Sequence, residues 1–229
     1  GALLSSSIGD TDNVVKFINE ARELGIEVLP PSVNESGYKF TVVGDKRLRF
    51  GLGAIRNVGR SAIASILAAR GGKPFSGLYD LCQRVDLRLC NRRVFEALIG
   101  SGALDALGGH RQQYLAALDT ALHEASLAQQ ERTSGQVSLF GNLGAPPTGT
   151  TMARTHVLPN VAPLSESERL TKEKEILGFY ISGHPLEPYR VECELFATRT
   201  VAELGHWAPE QITVGGVVTA VRRQISKKS

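Results

Sequence analysis

At Gly51 the spacing of apolar residues changes, and that change constrains the fold more than any other feature of the chain. Before it, YKFTVV and RLRFGL alternate apolar and polar residues around Gly44-Asp45-Lys46, the period of a half-buried β-hairpin. After it, LGAIRN, the turn NVG and SAIASILAAR carry apolar residues three or four apart, the period of helices. Ala62, Ile63, Ile66 and Leu67 share one face, and Gly59 stands where the backbone must turn sharply and approach something closely. The pattern is helix, hairpin, helix. It recurs more loosely as LYDLCQR, VDLRL and CNRRVFEALIGSG, with Asn91 placed to cap a helix that Gly100 or Gly102 ends. The second hairpin has no glycine.

On either side the chain is read by the same rules. Asp10 or Thr11 caps a helix running to about Leu24 with Gly25 as its stop, and IEVLPP reads as a short strand ended by prolines. After Gly108-Gly109, RQQYLAALDTALHEASLAQQ places Tyr114, Leu115, Leu118, Leu122 and Ala125 at helical spacing as core residues. Ser165 and Glu168 form a capping box that opens the helix ESERLTKEKEILG, whose Glu and Lys residues read as a solvated face. Between these helices lies a stretch rich in Gly, Pro and Thr without apolar periodicity, and the C-terminal ITVGGVVTAVRRQISKKS reads as unfinished β-structure. The fold class is therefore mainly α with small β parts.

Composition bounds the function. The chain has 229 residues, 42% of them hydrophobic, enough for one to three small domains. It contains no run of about 18 apolar residues and no basic N-terminal leader region, which gives neither a membrane span nor a secretory signal and places the expected site in the cytoplasm. Cys82, Cys90 and Cys193 form no CxxC pair, so they read as reduced, half-buried apolar residues rather than disulfides or zinc ligands. The only methionine is Met152 and residue 1 is glycine, so the chain reads as a fragment.

Charge points to a polyanion. The net charge is +3, but residues 51 to 111 hold nine Lys/Arg against four acids, a local +5. Backbone N–H groups at Val58, Gly59 and Arg60, flanked by Arg56 and Arg60, suit a phosphate, and Arg88, Arg92 and Arg93 supply the second hairpin. Such contacts read no bases, so binding is expected to be sequence-independent and salt-sensitive. The competing view is an αα-hairpin held by its own core.

The heptapeptide GQVSLFG at 135 to 141 places Leu139 and Phe140 at the end of a fading apolar stripe, three residues after Gln136. Two large anchors in a short peptide suit insertion into an apolar groove of a partner. His184 and Cys193 lack an orienting third group for nucleophilic chemistry, and a single Trp207 is assigned to packing.

The strings VLPPSVNESGYKF, RFGLGAIRNVG, VFEALIGSGALDALGG and EKEILGFYISGHPLEPY resemble the C-terminal half of the α subunit of bacterial DNA polymerase III, the C-family replicative polymerases. The likeness runs in matching order over the chain apart from the linker. It implies the C-terminal part of a fingers region at 1–50, a tandem helix-hairpin-helix domain at 51–134, a sliding-clamp-binding motif at 135–141, a flexible linker at 142–163, a helical connector at 164–210 and the start of a truncated OB-fold at 211–229. QVSLF is similar to the family's clamp motif, which makes Gln136, Leu139 and Phe140 the clamp contacts. The resemblance further implies duplex DNA, the sliding clamp (β subunit) and other holoenzyme subunits as partners, and Mg2+ for the parent polymerase. The family's catalytic aspartates fall upstream of residue 1, so no catalytic residue is expected here. The alternative is a non-catalytic helix-hairpin-helix module of a repair nuclease or ligase; a pure protein-interaction module is a third.

Overall fold

The computed structural model describes residues 2–134, 156–199, 211–218, 221 and 223. Two compact units divide the chain, residues 1–181 and 182–229.

The first unit begins with a short helix α1 (Ala2–Ser6) and the helix α2 (Thr11–Glu23). Asp10 caps α2 by accepting from the Asn13 N–H at 3.2 Å, Val14, Ile18 and Ala21 face inward, and Gly25 turns away with φ 72°. A three-stranded sheet follows, in the order β1 (Glu27–Leu29), β3 (Arg47–Arg49), β2 (Thr41–Val42). β2 and β3 form the expected hairpin, antiparallel with Val42 opposite Leu48, while β1 runs parallel to β3 with Val28 opposite Leu48. Gly44 (φ 73°) and Lys46 (φ 54°) take the left-handed backbone at the hairpin turn. Val28 and Leu48 are buried and put the inner face of the sheet on the core.

The helix expected over LGAIRN is reduced to a single 3-10 turn, Leu52–Ala54. The reason is a close backbone approach. The Leu52 N–H donates to Gly37 O at 2.9 Å and the Gly53 N–H to Tyr38 O at 3.0 Å, so both are committed across the chain rather than along a helix. A Cβ at Gly51 would lie 2.6 Å from the Lys39 carbonyl carbon, and one at Gly53 2.8 Å from Tyr38 O. Only glycine fits at these two positions.

Helices α3 (Arg60–Arg70), α4 (Leu78–Arg84), α5 (Arg92–Gly100) and α6 (Arg111–Ser134) build the remainder of the core with α7 (Glu166–Leu177). Ala62, Ile63 and Ile66 of α3, Leu81 of α4, Leu98 and Ile99 of α5, and Tyr114, Leu118 and Ala125 of α6 are buried in one cluster. Each large aliphatic side chain so buried contributes about 1.5–3 kcal/mol from area removed from water. Phe179, just after α7, closes the same core against Phe50 at 5.7 Å between ring centroids. Ser165 and Glu168 make the capping box of α7 as expected. Its charged face is not wholly solvated, however, because Glu173 is fully buried. Residues 156–163 run without regular structure beside α6, where Pro159 O accepts from Gln113 Nε2 at 3.1 Å.

The second unit contains a 3-10 turn at Glu187–Tyr189 and the helix α8 (Arg190–Phe196). Residues 211–218 form neither helix nor strand and are tied back by the Thr198 N–H, which donates to Thr213 O at 2.9 Å. Trp207 lies outside the described residues.

Candidate nucleic-acid interface

The first hairpin is pinned from below by Ile55 and Val58, both buried. Its tight turn falls on Asn57, with φ 66°, and Gly59 is extended at φ −71°. Asparagine tolerates the left-handed region better than other non-glycine residues, so the turning role read for Gly59 passes to Asn57. The Val58 N–H donates to Ile55 O at 3.3 Å and is engaged inside the hairpin. What the hairpin offers outward is the start of α3. Gly59 caps that helix with no side-chain hydrogen bond, and the first helical bond is from the Ile63 N–H to Gly59 O at 3.1 Å. The N–H groups of the first turn therefore lack intrahelical acceptors and carry the positive end of the helix dipole. Gly59, Arg60 and Ser61 are exposed, and a Cβ at Gly59 would meet nothing within 4 Å.

Arg56 and Arg60, expected to flank that point alike, have different employments. Arg60 lies over the Tyr38 ring at 4.8 Å from its centroid, and among the described residues it has no carboxylate partner. Such a stack holds the guanidinium in place while leaving its N–H edges free. Arg56 instead reaches back: Nη1 donates to Glu175 O at 2.9 Å, its backbone N–H to Ile176 O at 3.2 Å, and Nε to Thr11 Oγ1 at 3.4 Å. It places a cation on the last carbonyls of α7, the favourable end of that dipole. Tyr38 carried no signal in the sequence, because its ring meets Arg60 and Gly53 only through the fold.

The second hairpin joins α4 to α5. Asn91 caps α5 by accepting from the Val94 N–H at 3.2 Å. Arg88 donates to Asp86 through Nε at 3.0 Å, Nη2 at 2.7 Å and its backbone N–H at 2.9 Å. Those hydrogen bonds hold the Asp86 carboxyl below the usual carboxylate range. Arg92 is shared between Glu96 at 2.8 Å and Asp119 at 2.5 Å, and Arg93 is exposed with no ion pair among the described residues.

Several other basic residues of the +5 segment are structural. Arg84 donates to the carbonyls of Ala69 at 2.5 Å and Lys73 at 2.7 Å, and Arg70 to Val33 O and Ser36 O at 3.2 and 2.8 Å. Arg111, buried, pairs with Glu173 and Asp105, at 2.8 and 2.7 Å, and donates to Gly100 O at 3.1 Å. What stays open is concentrated near the first hairpin: between Asp45 and Asp80 the sequence has seven Lys/Arg and no acid, and of these Lys46, Arg47, Arg60 and Lys73 are exposed with no ion pair among the described residues, while Arg49 pairs with Glu35.

The clamp-motif residues Gln136, Leu139 and Phe140 lie outside the described residues. Burial pushes the Cys82 thiol up to about 12 and the Cys90 thiol up to about 11, which leaves both as inert core groups. Among the described residues no group of three or more His, Cys, Asp or Glu side chains is arranged to hold a metal. No described helix is long and apolar enough to cross a membrane.

Residues 25–114 match the helix-hairpin-helix motif family. Over 99% of its length the chain is 37% identical to the DNA polymerase III subunit alpha of Pseudomonas aeruginosa and 40% identical to that of Neisseria meningitidis. Over 97% of its length it is 40% identical to the DNA polymerase III subunit alpha of Thermus aquaticus. The chain spans about a fifth of the length of these relatives. The resemblance carried by the sequence motifs is thus borne out.

Proposed function

We propose that this chain is a segment of a replicative DNA polymerase of the DNA polymerase III alpha type, and that its part is to hold duplex DNA by the phosphate backbone and to engage the sliding clamp. The similarity to DNA polymerase III subunit alpha over nearly the whole chain supports the parent activity, DNA-directed DNA synthesis in the cytoplasm within a replicative holoenzyme. The polymerase chemistry belongs to residues beyond this segment. One observation carries the DNA reading: an uncapped helix start with exposed Gly59, Arg60 and Ser61, inside a stretch with seven Lys/Arg and no acid, in a region matching the helix-hairpin-helix motif. Backbone N–H groups and a guanidinium there bind phosphate without reading bases.

The clamp contact is assigned to Gln136, Leu139 and Phe140 on the strength of the QVSLF motif and the DNA polymerase III relatives. Two apolar side chains entering a groove contribute about 1.5–3 kcal/mol each.

The test of the DNA reading is a salt titration of duplex binding with the whole chain. Affinity should be the same for unrelated sequences and fall steeply as salt rises. Arg60→Ala should make the log–log salt slope shallower by about 0.9, one phosphate contact. A chain whose duplex affinity is absent, or indifferent to salt, is not a backbone-binding module.

A further inference from the structure

The two hairpins of this chain are not electrostatically equivalent. We propose that Asp86 silences the second hairpin as a phosphate site, leaving the first hairpin as the one that docks a duplex phosphate; this rests on the DNA-binding reading above.

The geometry is specific. The Asp86 carboxylate accepts three hydrogen bonds from Arg88, from its backbone N–H at 2.9 Å, Nε at 3.0 Å and Nη2 at 2.7 Å. The Asp86 N–H in turn donates to Ser65 Oγ of α3 at 2.9 Å, which fixes the residue against the neighbouring helix. A carboxylate bound in this fork presents the same two-oxygen face to Arg88 that a phosphate would use. The pair stands at the surface, with the Arg88 side chain 89% exposed. A phosphate approaching Arg88 must therefore displace an anion already seated, while that anion repels it.

The surroundings reinforce the effect. Arg92 is held by Glu96 and Asp119, and the N-terminus of α5 already has the Asn91 side chain as its acceptor. Asp86, Arg88, Arg92, Arg93, Glu96 and Asp119 sum to no net charge. At the first hairpin the helix start is uncapped and the flanking sequence has no acid between Asp45 and Asp80. Because Arg88 depresses the Asp86 carboxyl, it is ionised throughout the neutral range in which DNA is bound.

The experiment measures salt-dependent affinity of the whole chain for a short duplex. Asp86→Asn keeps a side-chain oxygen to accept from the Arg88 N–H, so the turn is retained while the guanidinium is released. The salt slope should steepen by about 0.9, which at 0.1 M salt is a gain of about eightfold in affinity. The double variant Asp86→Asn/Arg88→Ala should return to the parent value. An Asp86→Asn protein that binds no tighter than the parent overturns the proposal, and so does a double variant that binds more weakly, because Arg88 would then already hold a phosphate. If the parent binds and Arg60→Ala weakens it while Asp86→Asn changes nothing, this inference alone falls. A parent chain without salt-dependent affinity removes the DNA reading and this inference with it.

Discussion

Glu173→Gln tests whether the buried pair with Arg111 holds α7 on the body of the first unit. Arg111 Nη2 lies 2.8 Å from Glu173 Oε1, and Glu173 Oε2 accepts from the Ile181 N–H at 3.1 Å. Both residues are buried, Glu173 completely and Arg111 to 6% exposure. Glutamine fills the same volume, so no cavity opens and the change isolates the charge. Removing one member of a buried pair costs about 3–5 kcal/mol. Arg111 keeps Asp105 at 2.7 Å, a half-exposed carboxylate, so the lower end applies. At about 2–4 °C per kcal/mol for a unit of this size, the unfolding midpoint should fall by about 6–12 °C. Differential scanning calorimetry reads it directly. Removing both charges with Arg111→Met/Glu173→Leu should cost less than the two single changes together, since neither leaves an orphaned ion. A Glu173→Gln midpoint within 2 °C of the parent, or a double variant that costs as much as or more than the two single changes together, would refute the reasoning.

Gly53→Ala should destabilise by about 1–3 kcal/mol because its Cβ meets a backbone oxygen at 2.8 Å, whereas Gly59→Ala, with nothing within 4 Å, should leave the midpoint unchanged and weaken duplex binding; circular dichroism melting with the salt titration separates the two. Cys82 and Cys90 should resist iodoacetamide at pH 8 in the native protein while Cys193 reacts, as counted by mass spectrometry. The same raised thiol values mean that their stabilising contribution is complete below the unfolded thiol range near 9 and is lost as pH climbs through about 11 to 12, so denaturant midpoints should decline on the alkaline side. Leu139→Ala/Phe140→Ala should lower clamp affinity by about two orders of magnitude or more with an unchanged midpoint; a lower midpoint with intact clamp binding would return the pair to the protein core.

What the sequence disclosed was local. Asp10, Asn91 and the Ser165/Glu168 box each cap a helix within three residues of themselves, and the hairpin turn needs only Gly44 and its neighbours, so a reader of the chain meets both partners together. What stayed hidden depended on distant residues. Arg56 looks like a phosphate ligand from its neighbours, yet its acceptor at Glu175 is 119 positions away. Glu173 has the spacing of a solvated face until Arg111 is folded over it. LGAIRN has helical periodicity, but its N–H groups pair with Gly37 and Tyr38, a bond pattern that no periodicity records. Within the +5 segment the sign of the charge was legible and its availability was not, because Arg70 and Arg84 spend theirs on carbonyls.

The attachment of α7 has a consequence for how the protein survives being cut. Arg56 on the Glu175 and Ile176 carbonyls, the buried Arg111–Glu173 pair and Phe179 against Phe50 are all made between the chain before residue 135 and the chain after residue 155. None of these contacts needs the intervening peptide to be continuous. A protease that severs it should therefore produce two polypeptides that remain one particle, co-eluting on a sizing column and parting only in denaturant. Residues 2–134 and 156–181 behave in this respect as a stem and a splint, and the two pieces, synthesised separately, should reconstitute by complementation.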